Sequence, residues 1–183
     1  MTTNKQTPAQ RRRWMLAAYD CVQALVISLV AVVLAFTFCV RIVSVQGDSM
    51  LPTLETDNRL LLTTFVSEYE RGDIVVVDRY TDEPLIKRVI AVAGETVEID
   101  SEYRLYINGV LQREDYIMGH TVHRDMTGPV TVPEGCVFVM GDNRTISKDS
   151  RMEEIGMVSC KDVIGKVLFR VWPLRAFGTV YAE

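Results

Sequence analysis

The chain has 183 residues but only two histidines and four cysteines. His120 and His123 stand three apart in a polar segment with no adjacent Glu and no further Cys/His cluster, so we expect no metal site there. We expect both to be solvated loop residues; a His-based triad is the alternative. Basic residues are also outnumbered, with 20 Lys and Arg against 24 Asp and Glu. Nucleic-acid surfaces are rich in basic residues, so we expect no nucleic-acid partner.

The four cysteines leave one question of pairing open. Cys21 and Cys39 fall within an apolar run, where a thiol behaves as a small apolar group. We expect Cys136 and Cys160 to be two free, mostly buried thiols. The alternative is a disulfide between them in an oxidising compartment, and the sequence alone does not decide.

Long apolar runs are absent except for one. Residues 21–40 contain no charged side chain, and 20 residues span roughly 30 Å as a helix, the thickness of a membrane core. Basic residues cluster before the run, which predicts a cytoplasmic tail (1–20), a transmembrane anchor (21–40) and an extracytoplasmic domain (41–183). A cleavable signal peptide is the alternative, but its apolar region is shorter and ends in small residues.

Residues 41–183 carry a formal charge of −7, and their pattern is typical of short strands. β-branched and aromatic runs alternate with turn signals such as Asn108-Gly109. We predict strands at 60–66, 74–77, 86–92, 96–99, 104–107, 137–140 and 163–171. Few helical windows remain, so the sequence indicates an all-β domain, coiled on itself or packed as two sheets. We expect a long loop at residues 115–128, which contains both histidines.

Ser49 is a candidate nucleophile, since it lies between a flexible glycine and a rigid proline just beyond the apolar run. A serine hydroxyl needs a neighbouring base. Lysine serves only when burial lowers its pKa. Lys87 lies in an apolar strand beside Arg88, and each face of that strand is otherwise apolar, so we expect at least one cation to point inward. An edge strand with both cations reaching solvent is the alternative.

Residues 141–151 form a third polar constellation, dense in Asp, Asn, Ser and Gly. One interpretation is a structural turn held by an Asp149–Arg151 pair. The functional interpretation is a polar wall that orients a neutral lysine, in which Ser147 supplies a hydroxyl to aim the amine.

Four stretches together resemble the type I signal peptidases, membrane-bound serine proteases with a Ser/Lys dyad. They are GDSMLPTL at 47–54, RGDIVV at 71–76, KRVIAVAGE at 87–95, and GDNR at 141–144 with SxDSR at 147–151. They follow one another in the family's order and cover most of residues 40–170. The short chain with one anchor resembles the Gram-positive form of the family.

The resemblance implies a mainly β catalytic domain of coiled, partly barrel-like antiparallel sheets with one N-terminal transmembrane helix. It implies Ser49 as nucleophile and Lys87 as general base. The supporting residues it implies are Ser147, Asp149, Arg151, Asp142 and Asn143. The Ser49 N–H would bind the oxyanion, and Gly47 stands where some members carry a second, hydroxyl donor. No metal or cofactor is implied.

The resemblance also implies substrates and a location. The substrates are exported precursors with small residues at the −1 and −3 positions, read by pockets that Met50 and Leu51 border. The partners are these precursors and the lipid bilayer. We expect a single-pass monomer in the cell membrane with a cytoplasmic N-terminus. Eight residue steps from Arg41 reach at most about 27 Å, which keeps Ser49 near the membrane surface. Trp172, Leu174 and Phe177 either dip into that surface or pack in the core.

Two alternatives stay open from the sequence. One is another Ser/Lys hydrolase, such as a self-processing repressor-type domain, although the N-terminus here is apolar. The other is a non-catalytic, membrane-anchored β-domain that binds partners. The non-catalytic alternative assigns no role to Ser49 or Lys87.

Overall fold

The structure is a computed structural model and describes residues 8–78 and 83–181. The chain divides into two compact units, Met1–Cys39 and Val40–Glu183. The first unit contains one helix, α1, which spans Pro8–Cys39. Proline fits the first helical position because its missing N–H would have no intrahelical partner there.

Within the described residues, α1 is the one helix that is long and apolar enough to cross a membrane, over Arg12–Leu34. The helix starts well before the predicted anchor at residue 21, because the preceding segment is rich in good helix formers, including arginine and alanine. It ends at Cys39, and Val40 already belongs to a strand. Lys5, part of the predicted cytoplasmic tail, lies outside the described residues.

The described part of the second unit contains eleven strands and two short 3-10 helices, Cys160–Asp162 and Leu174–Ala176. The strands are β1 (Val40–Ser44), β2 (Arg59–Thr63), β3 (Ile74–Val77), β4 (Leu85–Val92), β5 (Thr96–Ile99), β6 (Leu105–Ile107), β7 (Val110–Leu111), β8 (Val130–Thr131), β9 (Cys136–Met140), β10 (Val158–Ser159) and β11 (Val163–Trp172). The seven predicted strands are all present with small shifts at their ends. β7 was expected only as the second arm of the Asn108-Gly109 hairpin, and β1, β8 and β10 were not predicted, because they are short or adjoin the apolar run.

The strands form two antiparallel sheets. The larger sheet curls into a half-barrel in the order β1-β2-β11-β3-β4-β9-β10, and the smaller sheet has the order β7-β6-β5-β8. This architecture confirms the predicted mainly β fold with one N-terminal apolar helix. The Asn108-Gly109 hairpin joins β6 to β7, as its turn signal predicts.

The strand β4 is an interior strand, paired with β3 on one side and β9 on the other. Val75 lies opposite Lys87, and Met140 lies opposite Arg88. The edge-strand alternative is therefore wrong. Both cations are buried, with exposed fractions of 2% for Lys87 and 4% for Arg88, which confirms the expectation that at least one of them points inward.

One core cluster reaches into the turn that carries the serine. Met50 and Leu54 are fully buried and pack with Leu60, Ile74 and Ile86 of the larger sheet. These two side chains hold the 47–54 turn against the sheet, since burying each of them stabilises the fold by roughly 1.5–3 kcal/mol. Their burial places Ser49 over β4.

Candidate active site

Ser49, in the 47–54 turn, and Lys87, on the interior strand β4, lie within contact distance of each other. The Lys87 Nζ lies 2.9 Å from the Ser49 Oγ, a hydrogen-bond distance. The amine also donates to the carbonyl of Ile86 at 3.0 Å. With one N–H held by that carbonyl, the amine has a defined orientation toward the serine hydroxyl.

Burial weakens the affinity of Lys87 for a proton. Loss of solvent around the amine lowers its pKa from 10.5 to about 8, although the carboxylates of Asp149 and Asp142 act in the opposite direction. The charge of Arg151 adds to the lowering. About a tenth of the amine is therefore neutral at pH 7 and able to accept a proton, far more than for a solvated lysine.

The turn around Ser49 is held by main-chain hydrogen bonds. Leu51 N–H donates to the Asp48 carbonyl at 3.3 Å, and Leu54 N–H donates to the Met50 carbonyl at 2.9 Å. Gly47 begins the turn with φ of 77°, a conformation that favours glycine. The Ser49 N–H itself donates to no group among the described residues.

The loop that follows β9 packs directly onto Ser49. Asn143 donates its N–H to the Ser49 carbonyl at 3.0 Å and its Nδ2 to the Asp48 carbonyl at 3.1 Å. Gly141 permits this approach, because a methyl group there would overlap the Ser147 Oγ and the Ser49 carbonyl oxygen.

Asp142 lies at the centre of a buried ion pair. Arg88 donates its Nε and Nη2 to the two carboxylate oxygens of Asp142, at 2.9 and 2.6 Å. Thr53, from the serine turn, donates its hydroxyl to the same carboxylate at 2.5 Å. The guanidinium also lies over the ring of Tyr116, 4.1 Å from its centroid. Asp142 thus joins β4 to the turn that carries the nucleophile.

Asp149 and Arg151 form a second buried pair with two hydrogen bonds of 2.8 Å. The Arg151 guanidinium lowers the pKa of Asp149 against the effect of burial, and Ser147 adds to the lowering. The Ser147 Oγ is completely buried and has no hydrogen-bond partner of good geometry among the described residues. It lies beside the site, but the amine of Lys87 is held by Ser49 and Ile86 instead.

The long loop expected at residues 115–128 lies between β7 and β8. Its part at residues 112–126, here called the strap, contacts the site loop, which is residues 141–151 after β9. Arg144 donates both Nη groups to the two Glu114 oxygens, at 2.6 and 2.5 Å. Met118 pairs with Asn143 as an isolated parallel bridge. The strap therefore fixes the main chain on either side of Asn143.

A cavity of about 310 Å³ opens beside the two reactive groups. Ser49, Met50 and Lys87 line it, together with residues that sequence reasoning missed: Val45, Gln46, Glu83, Pro84, Leu85 and Ile86. Leu51 does not line this cavity. A second cavity, of about 340 Å³, shares Gln46, Glu83, Pro84 and Ile86 with the first.

The histidines lie away from this centre. His120 is exposed, as expected, whereas His123 is half-buried and its Nε2 lies 3.0 Å from the carbonyl of Ile99. Neither lines the cavity beside Ser49. Within residues 8–78 and 83–181, no group of three or more His, Cys, Asp or Glu has the arrangement of a metal site.

The structure shows the state of the cysteines and the exposure of three apolar residues near the C-terminus. Cys136 and Cys160 are free thiols, but both are half-buried rather than mostly buried. Trp172, Leu174 and Phe177 are exposed, by 71% for Leu174, so the core-packing alternative for these three is wrong.

Sequence reasoning missed how the supporting groups connect. It did not assign partners to Arg88 and Arg144, nor the contact of Asn143 with the serine turn. An unpaired charged residue inside an apolar strand, as at Arg88, is a signal that a buried partner exists elsewhere. Nothing in the sequence indicated that the partner is Asp142.

Comparison with known proteins gives a consistent result. A family model described as "Signal peptidase, peptidase S26" matches residues 18–172. Signal peptidase I of Bacillus caldolyticus is 34% identical over 97% of this chain and 98% of its own length. Signal peptidase I S of Bacillus subtilis is 36% identical, covering 84% and 88%. A crystal structure of a signal peptidase I from Enterococcus faecalis shares 33% identity, covers 56% of this chain and 98% of that one, and has a TM-score of 0.46.

Proposed function

The chain belongs to the signal peptidase I family, peptidase S26, and we propose that Ser49 and Lys87 are the catalytic dyad with which it removes signal peptides from precursor proteins. The observation that carries the assignment is the 2.9 Å distance between the Lys87 Nζ and the Ser49 Oγ in a buried setting. A base must lie within hydrogen-bond reach of the proton it removes and have a pKa near the working pH. Lys87 meets both conditions.

In the proposed reaction, neutral Lys87 takes the Ser49 proton as the Oγ attacks the scissile carbonyl carbon. The Ser49 N–H donates to the resulting oxyanion. The Lys87 ammonium then returns its proton to the leaving amine, the C–N bond breaks, and an acyl-enzyme ester remains. A water molecule then loses a proton to Lys87 and attacks the ester carbonyl, and the Lys87 ammonium returns that proton to the Ser49 Oγ as the ester C–O bond breaks and the acid product leaves.

The supporting residues hold this arrangement in the proposal. Asp142 and Arg88 join β4 to the serine turn, and the Asp149–Arg151 pair tunes the proton affinity of Lys87. Ser147 belongs to the site loop and packs with the Ser49 carbonyl around Gly141. The first cavity is lined by Ser49 and the second adjoins it through Gln46, Glu83, Pro84 and Ile86, and the two would accept small side chains at the −1 and −3 positions of the precursor. Met50 forms part of the first.

For location, we propose that residues 21–40 anchor the chain in the membrane with the N-terminus in the cytoplasm and residues 41–183 on the other side. The apolar span of α1 and the arginines at its start support this orientation. The enzyme is proposed to act as a monomer, which equilibrium sedimentation in detergent can test.

Two variants test the dyad directly. Ser49→Ala and Lys87→Ala should each reduce cleavage of a precursor to background while the folded domain keeps its far-UV circular dichroism. Asn108→Asp, at the exposed β6–β7 hairpin, is the matched control that should cleave normally. Substantial turnover by Lys87→Ala at neutral pH would exclude Lys87 as the base.

A further inference from the structure

The peptide unit between Asp48 and Ser49 carries the group that would bind the oxyanion. Its two polar atoms are the Asp48 carbonyl oxygen and the Ser49 N–H. In a trans peptide these point in opposite directions, so fixing one fixes the other. The carbonyl oxygen accepts from Asn143 Nδ2 at 3.1 Å and from Leu51 N–H at 3.3 Å. The N–H on the opposite side donates to no group among the described residues.

Asn143 is itself tightly held. Only 8% of the residue is exposed, and its own N–H is bound to the Ser49 carbonyl. On the strap side, Met118 N–H donates to the Asp142 carbonyl at 2.8 Å, and Arg144 N–H donates to the Met118 carbonyl at 2.9 Å. The Asn143 side chain is therefore a rigid donor aimed at one peptide unit of the serine turn.

We propose that Asn143 is a positioning residue that aims and strengthens the Ser49 N–H as the oxyanion donor. The inference rests on the proposed function of Ser49. A hydrogen bond to the carbonyl of a peptide polarises the whole unit, which makes its N–H a stronger donor. Gly47 supplies no hydroxyl to the site, so the Ser49 N–H carries more of the oxyanion stabilisation than it would beside a second side-chain donor.

The main chain of Asn143 keeps its bond to the Ser49 carbonyl whatever side chain it carries, so substitutions isolate the side-chain amide. Asn143→Ala removes the donor without adding charge. Asn143→Asp keeps the size and replaces the donor with an acceptor. Both are measured as the full chain in detergent, with a precursor substrate and with a peptide aldehyde, which forms a tetrahedral adduct with the serine.

We expect kcat to fall about 10- to 100-fold in Asn143→Ala, less than the roughly 100- to 1,000-fold typical of deleting a direct oxyanion donor. KM should change less than about threefold, because the bond matters most when negative charge develops. The affinity for the aldehyde should fall by the same factor as kcat. The midpoint of the pH profile should stay unchanged, because the neutral substitution leaves the charges around Lys87 intact.

Asn143→Asp should lose at least as much kcat at its pH plateau, with its midpoint moved upward by the new carboxylate. If Asn143→Ala does not fold, this second variant decides alone. Normal kcat and normal aldehyde affinity in a folded variant would overturn the proposal, as would a loss confined to KM. Cleavage by Ser49→Ala would instead overturn the proposed function, so the two failures are distinguishable.

Discussion

The rate of precursor cleavage should rise with pH as Lys87 loses its proton. Burial lowers the pKa of its amine to about 8, against 10.5 for a solvated lysine. The pH dependence of kcat/KM reports the pKa of the free enzyme's essential base. Below pH 8 the neutral fraction falls about tenfold per pH unit, so kcat/KM at pH 7 should be about one-tenth of its plateau. At pH 6 it should be about one-hundredth.

The assay is precursor cleavage by the full chain in detergent under kcat/KM conditions, from roughly pH 5 to pH 10, a range that spans the ordinary pKa values of His and Lys. A histidine base would give a midpoint near 6.5. The double variant His120→Ala/His123→Ala is the control. It should leave both the plateau and the midpoint where they are, because neither histidine lines the cavity beside Ser49.

Changing a charged residue near Lys87 should shift the midpoint of the pH profile in a direction that the structure predicts. Arg151 lowers the pKa of Lys87, whereas Asp149 raises it. Arg151→Met removes the positive charge and leaves Asp149 without its partner, so both effects raise the midpoint, by about one unit or more. Arg151→Lys keeps the charge and is the matched control. The reasoning fails if the midpoint lies near 6.5 and disappears with the histidines, or if Arg151→Met lowers it.

Three further outcomes follow from the buried groups and the close packing. Lys87→Met should raise the free energy of unfolding at pH 7 by up to about 3 kcal/mol, because the folded state holds the amine with a lowered pKa. The unfolded chain binds more protons between about pH 8 and 10.5, so wild-type stability rises with pH across that window, and denaturant unfolding should show the advantage of Lys87→Met fading there. Gly141→Ala should lower kcat by about a hundredfold, because its methyl group would displace the Ser49 carbonyl. Gly128→Ala is the control, since a methyl group there has no neighbouring atom within 4 Å. Equal kinetics for the two variants would contradict the packing argument. Arg88→Lys should lose about 2 kcal/mol in thermal or denaturant unfolding, because lysine cannot reproduce the two bonds to Asp142, and unchanged stability would argue against that pair.

Much of the fold was readable from local patterns. The apolar run predicted α1, and seven β-branched runs predicted β2–β6, β9 and β11, because a buried strand or helix needs an unbroken set of apolar residues. The predicted helix boundaries were less accurate. Helix propensity in the charged segment before residue 21 extends α1 to Pro8. The apolar composition indicated the part that can span a membrane, but not that the helix begins before it.

The candidate site was readable in parts. Ser49 and Lys87 were selected by their residue types and neighbours, and the four ordered motifs indicated the family. The contacts among the supporting residues were not readable, because they join segments far apart in the chain: Arg88 with Asp142, and Asn143 with the turn at Ser49. A sequence records that a charge is buried in an apolar strand, but not which distant group neutralises it.

The sequence alone determined the chemistry available to this protein: one apolar span, a β domain, a hydroxyl in a tight turn and an amine within an apolar strand. Only the tertiary structure decided that the amine and the hydroxyl lie 2.9 Å apart and that burial lowers the pKa of the amine to about 8. The physical reason is that desolvation and hydrogen bonding depend on what surrounds a group in space. For Lys87 those surroundings come from the serine turn and the site loop after β9, which meet only when the sheet curls.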